Sequence, residues 1–205
     1  VLFLPQLPLN TITNLSLFKI KADCLPRMPQ LKALTLSYCL IDNFKGEKSM
    51  EELAIMTPMG EDPDSQYCYT KLIKAIKNAN IKRFTFMSGE YNAYYFLHLI
   101  SKYKFCSSLE YFSFEFSDND PSIIGILIKV LKRFSKGIIS TIILSISNMS
   151  FPVCLLHILN ELKVAILKLN LQIDNENNSK YLLDLSQTTT LISSFSFPIH
   201  IDSCD

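Results

Sequence analysis

The residues of this sequence whose types suit catalysis or metal binding are His98, His157 and a C-terminal group in which His200 is followed by Asp202 and Cys204. Imidazole is the usual general base near neutral pH and a frequent metal ligand, and a thiol beside a histidine can act as a nucleophile. The spacing argues against both uses. His98 and His157 occupy the same place in two similar segments, Phe96-Leu-His-Leu-Ile100 and Leu155-Leu-His-Ile-Leu159. The sister segments at 72–76 and 127–131 carry Lys74 and Lys129 at that place. A position that histidine and lysine fill alike reads as the solvated face of a helix. The group around His200 falls beyond the last strand pattern described below and reads as a frayed end. The chain has only five glycines, and none stands in a G-x-G-x-x-G or P-loop arrangement, so no phosphate cradle is expected. The reading is therefore of no enzyme: no catalytic residue, no cofactor and no metal.

Two repeats position everything else. Leu31-Lys-Ala-Leu34-Thr-Leu36-Ser-Tyr-Cys39-Leu-Ile41 sets apolar residues at offsets zero, three and five, then a cysteine and a further apolar residue. The first three offsets return as Ile12/Leu15/Leu17, Ile81/Phe84/Phe86, Leu109/Phe112/Phe114, Ile139/Ile142/Leu144, Val164/Leu167/Leu169 and Ile192/Phe195/Phe197, which makes seven copies. Side chains two apart on a strand share a face, so the residues at offsets three and five point the same way. The second repeat lies between these copies. The segments at 72–76, 96–100, 127–131 and 155–159, with a shortened fifth at 182–185, run apolar, apolar, polar, apolar, apolar, the broad face of an amphipathic helix. Proline near Ser122 and at 152 suits two of the helix starts. Strands joined by helices must run parallel. Strands sit about 4.8 Å apart while helices need about 10 Å, so the helical side splays and the sheet becomes a concave wall.

The strand copies begin at 12, 31, 81, 109, 139, 164 and 192; four of the six intervals fit a period near 25–30, and the one between 31 and 81 is the longest. It contains Glu51, Glu52, Glu61, Asp62 and Asp64, broken by Pro58, Gly60 and Pro63. Residues 44–66 accordingly read as an inserted acidic loop, with 48–56 long enough for one short helix.

The spacing L-x-x-L-x-L-x-x-N/C-x-L, met in full by Leu31, Leu34, Leu36, Cys39 and Ile41, resembles the leucine-rich repeat, and the alternation with helices resembles its ribonuclease-inhibitor-like class. That class also occurs in F-box receptors, nucleotide-binding immune receptors and the Ran GTPase-activating protein. Five other copies depart from the pattern at the N/C position, where Ile20, Gly89, Ser147, Gln172 and His200 stand, so divergent repeats are expected. The resemblance implies one α/β domain over 1–205: a leucine-rich-repeat solenoid with a curved parallel β-sheet on its concave face and helices on its convex face. No match to the basic and asparagine residues of the GTPase-activating relatives can be placed.

On such a fold the working surface is the concave sheet, where side chains leave a rigid element and the core does not need them. The expected partner-binding residues are Lys32, Tyr38, Lys82, Arg83, Met87, Glu110, Tyr111, Glu115 and Lys168, with a basic patch at Lys82 and Arg83 beside an acidic one at Glu110 and Glu115. The aromatic run Tyr91, Tyr94, Tyr95, Phe96 and Tyr103 exceeds what a helix core face uses, and reads mainly as tyrosine bodies packed with wet hydroxyls.

Composition bounds the partners. With 48% hydrophobic and 19% charged residues the chain can bury a core, and a formal net charge of +1 gives no field for nucleic acid or an anionic membrane. No apolar run approaches the roughly 20 residues of a bilayer span. The opening residues lack a basic segment and carry Pro5 and Pro8, unlike a signal peptide, and a start on valine suggests a fragment or a processed form. Six widely spaced cysteines form neither zinc pairs nor a disulfide framework, which suits the cytoplasm or nucleus; sequons at Asn14, Asn148 and Asn177 read as chance in an asparagine-rich chain. The expectation is a protein-interaction module that binds a protein partner through the concave face, as the recognition part of an F-box-type receptor. The alternative is a structural subunit of a large assembly. Nothing in the sequence indicates homo-oligomerisation.

Overall fold

The computed structural model describes residues 8–44, 48–57, 63–76, 79–88, 92–102, 107–117, 122–135, 137–147, 158, 161–162, 164, 166–172 and 192–196. Their elements are a 3-10 turn (Leu9–Thr11), strands β1 (Asn14–Phe18), β2 (Lys21–Cys24), β3 (Ala33–Ser37), β4 (Leu40–Asn43) and β5 (Glu52–Met56), and helix α1 (Pro63–Ile76). There follow β6 (Arg83–Ser88), α2 (Asn92–Ile100), β7 (Tyr111–Ser117), α3 (Ser122–Leu131), β8 (Thr141–Ser147), β9 (Ile166–Gln172) and β10 (Ile192–Ser196). The architecture is α/β. Eight strands form one sheet in the order β1-β3-β5-β6-β7-β8-β9-β10, and β2 pairs with β4 in a second. Each of these pairings is parallel.

The strands form where the apolar residues of offsets three and five alternate with small or polar ones. β3 and β5 bury Leu34, Leu36, Leu53 and Ile55 while the residues between them stay half-buried. The parallel register then sets like on like. Leu15, Leu34, Leu53, Phe84, Phe112 and Ile142 form one row beneath the sheet, and Leu17, Leu36, Ile55, Phe86, Phe114 and Leu144 the next. Offset zero supplies a third buried row in Leu31, Met50, Ile81, Leu109 and Ile139. Serine ties this row together. The hydroxyl of Ser49, just before Met50, donates to the carbonyl of Leu31 at 3.0 Å, and Ser108, just before Leu109, donates to that of Ile81 at 3.0 Å.

Helices cover the apolar side between β5 and β8. α2 lies with Phe96 stacked on Phe86 and Phe84, ring centroids 4.0 and 5.8 Å apart. Phe134, just past α3, meets Phe112 edge-on at 5.0 Å. Lys74, His98 and Lys129 are exposed and their apolar neighbours Leu72, Ile73, Phe96, Leu97, Leu127 and Val130 are buried, as the five-residue pattern requires. Of the copies at 155–159 and 182–185, only the buried Ile158 lies within the described residues. Among the described residues no helix is long and apolar enough to cross a membrane.

Two expectations need correction. Residues 44–66 are not one inserted loop, and 48–56 is not a helix: Glu52–Met56 is β5, paired in full register between β3 and β6, and the segment's end already belongs to α1. Met50, Leu53 and Ile55 supply the buried offsets zero, three and five, so this is an eighth copy of the motif hidden by its acidic neighbours. Secondly, helices do not back the whole sheet. The motif starts at 12, 31 and 50 are only 19 residues apart. After β3 the chain enters β4, paired with β2, and β5 begins at Glu52, so among the described residues no helix lies between β1 and β5. Lys19 and Tyr38, at φ 53° and 57°, make the sharp turn from the main sheet into this second one, a left-handed conformation that is uncommon for a residue with a bulky side chain.

Candidate functional site

The face of the eight-stranded sheet turned away from the helices carries the side chains that the core does not use. Its first feature is built by the backbone. The carbonyl of Lys32 accepts from the amides of both Glu51 and Glu52, that of Glu51 from Lys82 and Arg83, and that of Lys82 from Glu110 and Tyr111. A carbonyl has two lone pairs and can serve both donors. This doubling breaks the alternation at each strand start, so two consecutive residues face outward instead of one. In chain order the outermost row reads Lys32, Glu51, Lys82, Glu110, and the row inside it reads Ala33, Glu52, Arg83, Tyr111.

The outermost row alternates in sign. Lys82 Nζ donates to Glu51 Oε2 at 2.9 Å. That hydrogen bond, and then the lysine's charge, hold the Glu51 carboxyl below its ordinary range, with a smaller contribution in the same direction from Lys32. The same bond and the charge of Glu51 push Lys82 up, helped from the far side by Glu110. In the next row Arg83 Nε lies 3.7 Å from Glu52 Oε1, and the guanidinium carbon sits 4.4 Å from the centre of the Tyr111 ring. Both are solvent-facing contacts: the ion pair is worth about 0–1 kcal/mol and the cation–π contact about 0.5–1 kcal/mol. Their effect is to set the plane of the guanidinium more than to stabilise the fold. Beside Arg83 and Tyr111 the small residues Ala33, Thr35, Ala54 and Thr85 leave an open depression of about 140 Å³, with Glu52 on its rim.

Of the residues expected on this face, Lys32, Lys82, Arg83, Glu110, Tyr111 and Glu115 are there and at least partly exposed. Met87 is half-buried in register with Met56 and Glu115. Lys168 pairs in register with Ile143 on β8, and its side chain lies outside the described residues. The expected separation into a basic and an acidic patch is corrected, since Glu52 on β5 and Glu51 just before it pair with Arg83 and Lys82. Tyr38 stands past the end of β3, where its ring meets that of Phe18 edge-on at 5.8 Å. Phe18 is the residue that sequence reasoning missed here: it is 60% exposed, Tyr38 45%, and Lys19 Nζ lies 5.2 Å from the Phe18 ring centre. Its place after Leu15 and Leu17 on alternating register was the available signal.

The histidines are elsewhere. His98 is exposed on α2, its ring parallel to that of Tyr94 at 6.4 Å, on the layer opposite the open face. His157 and the group at His200 lie outside the described residues. From the aromatic run, Tyr95 pairs its hydroxyl with that of Thr70 between α2 and α1. Among the described residues no three of His, Cys, Asp and Glu gather as a metal site, and Cys24 and Cys39 are free thiols.

No family model, curated protein or solved structure matches this chain. The geometry above is therefore the ground for any reading of function.

Proposed function

We propose that the chain is a divergent leucine-rich-repeat module of the ribonuclease-inhibitor-like class, a non-enzymatic interaction protein of the cytoplasm or nucleus that captures a protein partner on its concave sheet face. The observation that carries this reading is the platform of Arg83 and Tyr111 above the depression at Ala33 and Ala54. Arginine and tyrosine are the residue types that most often carry binding energy, and they do so beside a pocket that a partner's side chain can fill. The repeated rows of buried residues support the repeat assignment, because each strand buries its apolar side against its neighbours and leaves the same positions open. The recognition half of an F-box-type receptor is the role that this arrangement suits best.

The test is affinity purification from the native source with wild-type chain and with Arg83→Ala combined with Tyr111→Ala as bait. Both side chains are outside the core, so the double variant should keep its circular dichroism and melting temperature. A co-purifying protein retained by the wild type should be reduced at least tenfold on the variant, the consequence of losing two hot-spot contacts of about 1 kcal/mol or more each. Undiminished capture would place the binding face elsewhere.

A further inference from the structure

The depression beside Arg83 is short of acceptors. Arg83 lines it, and among the described residues its guanidinium makes no hydrogen bond: its contacts are the 3.7 Å approach of Nε to Glu52 Oε1 and the ring of Tyr111, 4.4 Å from the guanidinium carbon. Thr35 and Thr85 line the same space half-buried, and their hydroxyls have no partner among the described residues. Lys32, one residue before Ala33, is exposed and makes no ion pair among them. Against these donors stand Glu51 and Glu52, and Glu51 is already held by Lys82 at 2.9 Å. A guanidinium offers five N–H donors and accepts nothing. Held over an aromatic ring, it keeps a restricted plane, and its edge matches the two oxygens of a carboxylate. We propose that the depression is an anchor pocket for a carboxylate side chain, the glutamate or aspartate of an acidic partner segment.

Shape and polarity agree with that occupant. Ala33 and Ala54 give the methylenes of such a side chain an apolar floor, while the free donors stand around it. A space of about 150 Å³ accommodates benzene, the depression has about 140 Å³, and a glutamate side chain has one heavy atom fewer than benzene. Other charged groups fit less well. A phosphate carries close to two charges at neutral pH, and the second would lie against Glu52 on the rim. A lysine or arginine would bring its charge against Arg83. Glu52 is the group that opposes the incoming carboxylate, and its 3.7 Å separation from Arg83 is longer than a hydrogen bond, so it is a weak internal competitor. This inference deepens the partner reading and rests on it: the pocket specifies what chemistry the captured segment presents.

The test is NMR titration of the full chain at neutral pH, reading the Arg83 Nε–H signal and the Thr85 amide. The probe is a capped alanine pentapeptide with glutamate at its centre, and the controls carry glutamine or phosphoserine there. A single anchor binds weakly, so a saturable shift is expected with a Kd on the order of 1–10 mM. The glutamine peptide should bind at least about tenfold more weakly, because charge-assisted hydrogen bonds are roughly twice as strong as neutral ones. The phosphoserine peptide should bind no more tightly than the glutamate peptide. Glu52→Gln should tighten the glutamate peptide about two- to fivefold by removing the competitor, and Thr85→Val should weaken it about threefold by removing a donor. Opposite signs at two positions lining one depression separate its chemistry from a general disturbance of the fold. Equal binding of the glutamate and glutamine peptides, tighter binding of phosphoserine, no saturable shift up to about 20 mM, weakening by Glu52→Gln, or a Thr85→Val chain that binds like wild type would each overturn the carboxylate anchor. The partner reading falls separately, by undiminished capture on the Arg83 and Tyr111 double variant. Capture lost on that variant, together with equal glutamate and glutamine binding, keeps the partner and removes only the anchor.

Discussion

Glu51 and Lys82 show how a single pair sets a local pH response. The Glu51 carboxyl is held low, so the pair is formed above the ordinary carboxylate range and is lost as pH falls through the depressed folded value. Lys82 is pushed up, so on the alkaline side the pair persists past the ordinary lysine range and is lost only above it. Across neutral pH it is intact. Lys82→Met should return the Glu51 carboxyl to the ordinary range, read by carboxyl-carbon chemical shift during acid titration; a Glu51 value unmoved by the substitution would mean that another cation holds it. Arg83 and Tyr111 were legible in the sequence because strand alternation alone puts them on the open face. Glu51 and Glu52 were not, for two reasons: their strand was read as a loop, and nothing in side-chain periodicity announces a carbonyl that serves two amides.

At the scale of elements, β5 decides the difference between sequence and structure. Leu53 and Ile55, with Met50 just before the strand, keep the common spacing, but a methionine at offset zero, two glutamates and the Pro58 and Gly60 breaks disguised it. Burial overrode local composition, since only an apolar strand can close the gap between Leu34 and Phe84 in the buried row. Ile55→Asp should therefore be severe: the loss of a buried isoleucine costs about 1.5–3 kcal/mol, and burying a carboxylate adds to it. Chemical denaturation should show a destabilisation of more than about 3 kcal/mol, whereas an unchanged midpoint would return residues 52–56 to a surface loop. The second sheet, β2 with β4, escaped sequence reading because a four-residue strand leaves too little periodicity to separate it from a turn. The length between motifs was the usable clue, since 19 residues cannot hold strand, helix and two connections.

For the whole molecule, stability should be graded along the sheet. Phe84, Phe86, Phe112 and Phe114 lie fully buried and stacked in rows, with centroids 6.1 Å apart between Phe84 and Phe112 and 5.1 Å between Phe86 and Phe114. At the β1 edge Asn14, Ser16 and Phe18 are exposed and Leu15 is only partly buried. Amide exchange should therefore be slowest in β6 and β7 and fastest in β1, because opening one unit at the edge breaks contacts on one side only. Equal protection in β1 and β6 would indicate a single cooperative block. The α/β class, the parallel order and the two main rows of core residues were all visible in the spacing of leucine, isoleucine and phenylalanine, because period and burial report the same physical constraint. The role of the open face was not visible there, because its residues are not constrained by the core.

At each strand start the main chain alone, through a carbonyl that serves two amides, brings two successive residues to the rim, so the identities at positions 32, 51, 82 and 110 are free of any folding duty. The scaffold thus separates holding from display: the letters along that margin can be exchanged without rewriting the architecture that presents them.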